Sequence, residues 1–148
     1  MNLFGRILLP VEGSQSAMAI VQDVIELARE ENSDLLLVAI IDESIRDMLA
    51  RYTHRSPEAV QQDLEDSEQR YLRHVAQLAQ QAGVPVKTTL RVGVAHHEVL
   101  AEARESDATC IVLGRSGEHG LRGLMMGRIL RQIITASHCP VLVLDGAE

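Results

Sequence analysis

Glycine is concentrated in one stretch of the chain, where five of the ten glycines lie between Gly114 and Gly127 in the run GRSGEHGLRGLMMG. The run directly follows the apolar segment TCIVL. Because glycine has no Cβ, backbone N–H groups in such a loop can converge on an anion, and the following helix adds the positive end of its dipole. These residue types at this spacing predict a phosphate-binding loop.

The charges around this loop differ from those of the whole chain. The chain carries 14 basic and 21 acidic residues, for a formal net charge of -7. From Gly114 to Arg131, four arginines stand against one acid, Glu118. The overall acidity argues against nucleic acid or an anionic membrane surface as a partner, whereas the local positive charge suits one phosphate-bearing ligand. The alternative is a solvated loop whose arginines pair with nearby acids.

The composition is that of one ordinary globular domain spanning residues 1–148. Hydrophobic residues make up 46% of the chain and aromatic residues only 2%, so we expect an aliphatic core and no stacking on single-stranded nucleic acid. No apolar stretch reaches membrane-spanning length and the N-terminal segment lacks the long apolar core of a signal peptide, which predicts a cytoplasmic protein without membrane insertion. Two cysteines without a CxxC motif predict buried thiols and no metal site.

Short apolar runs alternate with longer stretches of helical period, a pattern typical of a parallel sheet covered by helices on both faces. The predicted strands are Arg6 to Val11, Leu35 to Ile41, Val86 to Val92, Thr109 to Leu113 and Val141 to Leu144. The predicted helices are one after the turn PVEGS, a short one containing Ile45 to Tyr52, a long one between the capping Ser56 and the stop at Gly83, Ala95 to Glu105, and Arg128 to Ser137. Right-handed crossovers would make this sheet doubly wound, so we expect ligands outside the carboxyl ends of the strands, where PVEGS and the glycine loop both lie.

Two other polar groups have residue types, but not the spacing, for chemistry. Ser116 lies one position short of the nucleophile elbow GxSxG, which indicates a loop hydroxyl. His96, His97 and Glu98 form the densest cluster of histidine and acid, but adjacent histidines on a helix point in different directions, which favours a surface helix start over a metal site. No residue has the partners of a nucleophile or a general base, so no catalytic residue is predicted.

These segments resemble the universal stress protein family over essentially the whole chain. The resemblance is carried by ILLPVEGS near the start, by CIVLG with the glycine loop, and by SHCPVLVL near the end. The loop is the most specific part, because Gly114, Gly117 and Gly127 reproduce the family's nucleotide motif of two glycines separated by two residues and a third after nine more. The resemblance implies a Rossmann-like α/β fold of the HUP type, with a doubly wound five-stranded parallel sheet in the order 3-2-1-4-5.

The resemblance also implies an adenine nucleotide as ligand, either ATP or an AMP-type nucleotide, with Mg²⁺ accompanying ATP. Adenine and ribose would lie near Pro10, Val11, Glu12 and Ile40. The nucleotide-binding set is completed by Leu113, Gly114, Arg115, Ser116, Gly117, Gly127 and Arg128, the last six holding the phosphates. The implied role is that of a regulatory or stress-response protein that has no enzymatic activity or, at most, hydrolyses ATP slowly.

Two residues depart from the family's pattern. Glu12 stands where members that bind ATP tend to carry Asp, and Arg128 stands where they usually carry Ser or Thr. Arg128 has two interpretations: it contacts an anion together with Arg131, or it closes the site and leaves a vestigial phosphate loop in a dimeric interaction module. The glycines favour the retained anion site, since they would otherwise have no evident backbone purpose.

The last predicted strand, formed by Val141, Leu142, Val143 and Leu144, lies at the edge of the sheet in the implied order. Its aliphatic side chains and unpaired backbone groups make it a template for pairing with another chain. The resemblance implies that two copies pair these edges antiparallel in a homodimer. The sequence leaves open whether a transporter or another protein is a further partner.

Overall fold

The computed structural model describes residues 2–12, 15–115 and 121–145, with side-chain surroundings for all of these except 15, 16 and 121–126. The strands are β1 Arg6–Pro10, β2 Asp34–Asp42, β3 Val86–Gly93, β4 Cys110–Arg115 and β5 Val141–Asp145. The helices are α1 Gln15–Glu31, α2 Glu43–Thr53, α3 Pro57–Gln81, α4 Ala95–Glu105 and α5 Leu121–Ala136. None of the helices in these ranges combines the length and the apolar character needed to cross a membrane.

The strands form one parallel sheet in the order β3-β2-β1-β4-β5, which confirms the predicted fold. The winding direction reverses at β1, where Leu8 lies opposite Leu36 of β2 on one side and opposite Ile111 of β4 on the other. The carboxyl ends of β1 and β4 are therefore neighbours. Doubly wound sheets hold their ligands at this switch point.

Each face of the sheet has its own apolar core. Ile7 and Leu9 of β1 pack under α1 and α3, whereas Leu8 packs on the opposite face under α4 and α5. Successive side chains of a strand point to opposite faces of the sheet. Because helices cover both faces, every side chain of a central strand is buried, which explains the uninterrupted apolar runs in the sequence.

Helix α3 begins and ends where the sequence predicts. The hydroxyl of Ser56 accepts a hydrogen bond of 3.1 Å from the backbone N–H of Ala59, and Pro57 occupies the first turn. Gly83 follows the helix with a φ of 78°, a left-handed conformation that glycine adopts without strain. Local capping signals therefore placed this long helix correctly.

Helix α5 begins at Leu121, so the predicted start at Arg128 is wrong. Leucine, arginine and methionine between the glycines are good helix formers, and a single interior glycine costs only about 1 kcal/mol, which does not stop a helix. Gly127 and Arg128 consequently lie within the helix, about two turns from its start. Arg128 is thus not in the first turn, where the helix dipole would act on it.

Candidate functional site

A crevice opens at the carboxyl ends of β1 and β4, between α1 on one face of the sheet and α5 on the other. Its volume is about 60 Å³, which is room for a few water molecules. It is lined by Leu9, Pro10, Val11, Glu12, Ala17, Ile20, Val21, Leu113, Gly114, Ile129, Leu130 and Ile133. Within the described part of the chain, Glu12 is the only charged residue of this lining.

Five of the residues predicted from the sequence lie together in this lining, namely Pro10, Val11, Glu12, Leu113 and Gly114. They meet because β1 and β4 are hydrogen-bonded neighbours. The backbone N–H of Val11 donates to the carbonyl of Val38 at 2.9 Å, which holds the chain to β2 just beyond the end of β1. The structure therefore places these five residues together, with Gly114 as the one residue of the predicted phosphate-holding set that lines the crevice within the described chain.

Gly114 is held close to α1. A Cβ added to Gly114 would overlap the Cδ1 methyl of Ile20 and would lie 3.5 Å from its Cγ1. Since real Cβ atoms do not tolerate such overlap, the side chain of Ile20 would have to move. The glycine at this position thus allows the close packing of α1 against β4.

Arg115 is directed toward the neighbouring strand β5. Its Nε and Nη2 donate hydrogen bonds of 2.7 and 3.1 Å to the two carboxylate oxygens of Asp145. These hydrogen bonds raise the pKa of Arg115 and lower the pKa of Asp145. Because both groups are exposed, the pair contributes little stability, but it holds the arginine at the sheet edge.

The other predicted residues lie outside the crevice lining. Ile40 packs against the core on the α4 and α5 side of the sheet. Gly127 is exposed on α5, and an added Cβ there would meet no atom of the described residues within 4 Å. Ser116 and Gly117 lie outside the described residues, so their role in holding phosphate stays a prediction.

Arg128 faces away from the crevice. Ile129, Leu130 and Ile133 are the residues of α5 that line the crevice, whereas Arg128 and Arg131 border a second depression, between α4 and α5. With 3.6 residues per turn, these two sets lie on nearly opposite sides of the helix. Contact between Arg128 and nucleotide phosphates stays a prediction.

His96 and His97 lie side by side, and the sequence reasoning missed this. Their ring centroids are 4.1 Å apart with an interplanar angle of 53°, so the prediction that the side chains diverge is wrong. Rotation about the side-chain bonds lets both rings turn toward the same depression. Burial lowers the pKa of His96, and His97 lowers it further, while Asp42 opposes the shift. Among the described residues, no three or more His, Cys, Asp or Glu side chains are grouped to hold a metal ion.

Asp42 joins the N-termini of two helices at the carboxyl end of β2. Its Oδ1 accepts hydrogen bonds from the backbone N–H groups of Ser44 and Ile45, at 3.0 and 3.2 Å, in the first turn of α2. Its Oδ2 accepts from the backbone N–H of Ala95, the first residue of α4, at 3.2 Å. Burial opposes the charged carboxylate, but these bonds and that from the Ser44 hydroxyl outweigh it and lower the pKa of Asp42.

We expect Asp42→Ala to lower the free energy of unfolding by about 1.5 kcal/mol near pH 7, since a lost helix cap costs about 1 kcal/mol and two helices are capped here. A carboxyl group with a lowered folded pKa stabilises the fold above its unfolded pKa and loses that contribution as the pH falls through the folded value. The difference between wild type and variant should therefore shrink below about pH 4. Urea denaturation across a pH series measures it, with Ser44→Ala as the milder control. A difference independent of pH would contradict this account.

Comparisons with known proteins agree on one family. A sequence model described as the universal stress protein family matches residues 3–145. A universal stress protein of Methanocaldococcus jannaschii is 28% identical over 142 residues, covering 96% of this chain and 82% of that protein. The solved structure of another protein of that organism has a TM-score of 0.82 at 20% identity, covering 99% of both chains.

Two further solved structures with this fold contain nucleotides. A universal stress protein in complex with cAMP has a TM-score of 0.67 at 18% identity, covering 97% of this chain and 98% of that one. A universal stress protein from Archaeoglobus fulgidus in complex with dAMP has a TM-score of 0.65 at 17% identity, covering 95% and 98%. At these identities the likeness shows a shared fold.

Proposed function

The chain belongs to the universal stress protein family, and on this basis we propose that it binds an adenine nucleotide in the crevice at the carboxyl ends of β1 and β4. The observation that carries the proposal is the meeting of Pro10, Val11, Leu113 and Gly114 at the switch point of the sheet. The cAMP and dAMP complexes of proteins with this fold support an adenine nucleotide as the ligand class. Bound nucleotide then acts as a regulatory signal in the stress response.

The adenine ring would lie between aliphatic walls. Ile20 of α1 and Ile129 of α5 flank the crevice from the two faces of the sheet, and Val11 and Leu113 form its floor. Burial of the ring faces against these side chains would supply the binding energy. Ligand pockets usually exceed about 300 Å³, so at 60 Å³ the crevice must widen, by rotation of Ile20 or by separation of α1 and α5.

The phosphate groups would lie over the segment that begins at Gly114, with Mg²⁺ if the ligand is ATP. Gly127 supports this placement, since a glycine inside a helix costs about 0.5–1 kcal/mol relative to alanine. Packing against the described residues does not require glycine at position 127, because an added Cβ would meet none of their atoms within 4 Å. A ligand that approaches the backbone would explain why the position lacks a side chain.

Gly127→Ala tests the proposal. Without ligand we expect the variant to be more stable than wild type by about 0.5–1 kcal/mol, and we expect its affinity for a nucleotide to fall about tenfold, the equivalent of one lost contact of 1.4 kcal/mol. Calorimetric titration with ATP, ADP, AMP and cAMP measures the affinity, and urea denaturation measures the stability. At a nucleotide concentration a hundred times the Kd, wild type should gain about 2.7 kcal/mol.

Gly5→Ala is the matched control, because an added Cβ there lies 3.4 Å from its nearest neighbours and the residue precedes β1, at the other end of the strands. Its nucleotide affinity should equal that of wild type. An unchanged affinity in Gly127→Ala would remove that residue from the site. Wild-type protein that binds none of the four nucleotides would overturn the proposed function and favour the interaction module with a vestigial loop.

We also propose a homodimer formed through β5. This strand is at the edge of the sheet, and its residues from Val141 to Leu144 are all half-buried. Leu142 and Leu144 pack on the core under α1 and α3. The outer backbone edge of β5 pairs with no other strand of the described residues, so it is available to a second chain. An apolar edge of this kind pairs readily with a second strand, and antiparallel pairing about a two-fold axis satisfies both rows of backbone groups.

Val143→Lys is expected to raise the dimer dissociation constant at least tenfold, because it places a charge on the half-buried face of the pairing strand. Light scattering across micromolar concentrations measures the mass. Val92→Lys on β3, the opposite edge strand, is the matched control and should leave the mass unchanged. A wild-type protein that is monomeric over this range would exclude the interface.

A further inference from the structure

A groove of about 410 Å³, open to solvent, lies between α4 and α5. It is on the side of α5 that faces away from the nucleotide crevice. Four basic side chains border it: His96 and His97 of α4, and Arg128 and Arg131 of α5. Leu100 supplies an apolar wall, and no acidic residue is among the described residues of the lining. We call this depression the α4/α5 groove.

The charges of the two arginines are not balanced within the described chain. Elsewhere, Arg6, Arg91 and Arg115 each pair with a carboxylate, whereas Arg128 and Arg131 form no ion pair with the residues described. Like charges three residues apart on a helix repel each other and destabilise the helix slightly. In a chain of net charge -7, such a pair is most readily explained by an anion that it binds.

The donors of the groove match a group with several acceptor oxygens. A guanidinium presents paired N–H donors that fit two oxygens of a phosphate at once, and Arg128 and Arg131 lie on the same side of α5. The two imidazole rings, with centroids 4.1 Å apart, add N–H donors and gain more when protonated. We propose that the α4/α5 groove binds the phosphate group of a small organic ligand, at a site separate from the nucleotide crevice, with the organic part against Leu100.

Binding at this site is expected to strengthen when the imidazole rings of His96 and His97 are protonated, because each ring then offers two N–H donors and a positive charge to the anion. The groups facing them are Asp42 at the end of β2, whose carboxylate is already hydrogen-bonded to α2 and α4, and Arg128 and Arg131 across the groove. A bound dianion favours protonation, and by linkage protonation favours the dianion.

Inorganic phosphate is the probe for this proposal. It is titrated at constant ionic strength while NMR follows the imidazole signals of His96 and His97 and the backbone signals of α4 and α5. We expect saturable shifts in wild type. Because inorganic phosphate itself takes up a proton between pH 7.5 and pH 6, the affinity is expressed per concentration of dianion at each pH, and it should be at least threefold higher at pH 6. The double variant Arg128→Gln/Arg131→Gln should bind at least tenfold more weakly. Arg104→Gln removes an exposed arginine of α4 that does not border the groove, and it should bind as wild type does.

Several results would overturn the site. Shifts that grow linearly with phosphate, or that are equal in the double variant and wild type, would show only a general ionic effect. Shifts confined to Val11 and Leu113 would place phosphate in the nucleotide crevice instead. The titration is repeated with adenosine present, because adenosine carries no phosphate that could compete in the α4/α5 groove, and unchanged phosphate shifts at the histidines would support separate sites. Because the readout needs no nucleotide, a failure of the proposed function leaves this test intact.

Discussion

Replacing Arg91 by alanine is expected to lower the free energy of unfolding by about 3 kcal/mol. Arg91 lies on the edge strand β3 and holds three carboxylates of α4. Its Nε donates to Glu98 at 2.9 Å, and its Nη1 donates to Glu102 at 2.9 Å and to Glu105 at 2.8 Å. One cation therefore joins a whole face of α4 to the edge of the sheet.

The size of this effect follows from how little water reaches the cluster. The side chain of Arg91 is 20% exposed and that of Glu102 is 12% exposed. The hydrogen bonds that Arg91 donates to Glu105 and Glu98 raise the pKa of Arg91, although burial opposes the shift. Without the arginine, three carboxylates would remain on one helix face, two of them poorly hydrated, which costs more than the loss of a surface ion pair of less than about 1 kcal/mol.

Urea denaturation followed by circular dichroism measures this loss. Arg104→Ala is the matched control, since this exposed arginine of α4 makes no ion pair with the described residues, and its effect should stay within about 0.5 kcal/mol. Adding Glu102→Gln to Arg91→Ala should recover part of the stability, because it removes one of the repelling charges. If nothing is recovered, the arginine acts through the packing of its methylene groups and the electrostatic account is wrong.

The fold could be predicted because its signals are local. Helix α3 is bounded by Ser56 and Pro57 at its start and by Gly83 after its end, and each of these signals acts within a few residues of its own position. The strands can be recognised in the sequence because burial on both faces of the sheet requires apolar residues at every position, as from Leu35 to Ala39. The place of the crevice then follows from topology, since a doubly wound sheet has one switch point.

The partners of the polar side chains could not be predicted, because they are distant in the chain. Arg115 meets Asp145 only after β4 and β5 pair. The glycines between Gly120 and Gly127 suggest a loop, whereas the structure has helix from Leu121 onward. Arg128 therefore lies within α5 and borders the α4/α5 groove, and it is not at the start of a helix beside the phosphate loop. The sequence thus locates the site by topology, while tertiary packing decides which charges face it.

Gly114→Ala is expected to lower the free energy of unfolding by about 2 kcal/mol, as overpacking of a core does, and to weaken nucleotide binding at the same time. The added Cβ would occupy the place of the Cδ1 methyl of Ile20. Ile20 is only 4% exposed and lines the crevice, so the direction left for its displaced methyl is into the crevice. The crevice of about 60 Å³ must already widen to admit a purine, and a methyl displaced into it would increase the widening that is needed.

Ile20→Val removes that same Cδ1 methyl, so it tests the contact atom by atom. Alone it should cost about 1 kcal/mol. Combined with Gly114→Ala, the loss of stability should be smaller than the sum of the two by about 1 kcal/mol, since neighbours that compete for one space are coupled. Nucleotide affinity, measured by calorimetric titration, should recover in the double variant relative to Gly114→Ala, because no displaced methyl fills the crevice. Additive losses of stability would show that Ile20 does not limit the size of the side chain at position 114. Equal nucleotide affinity in wild type and all three variants would place the nucleotide elsewhere.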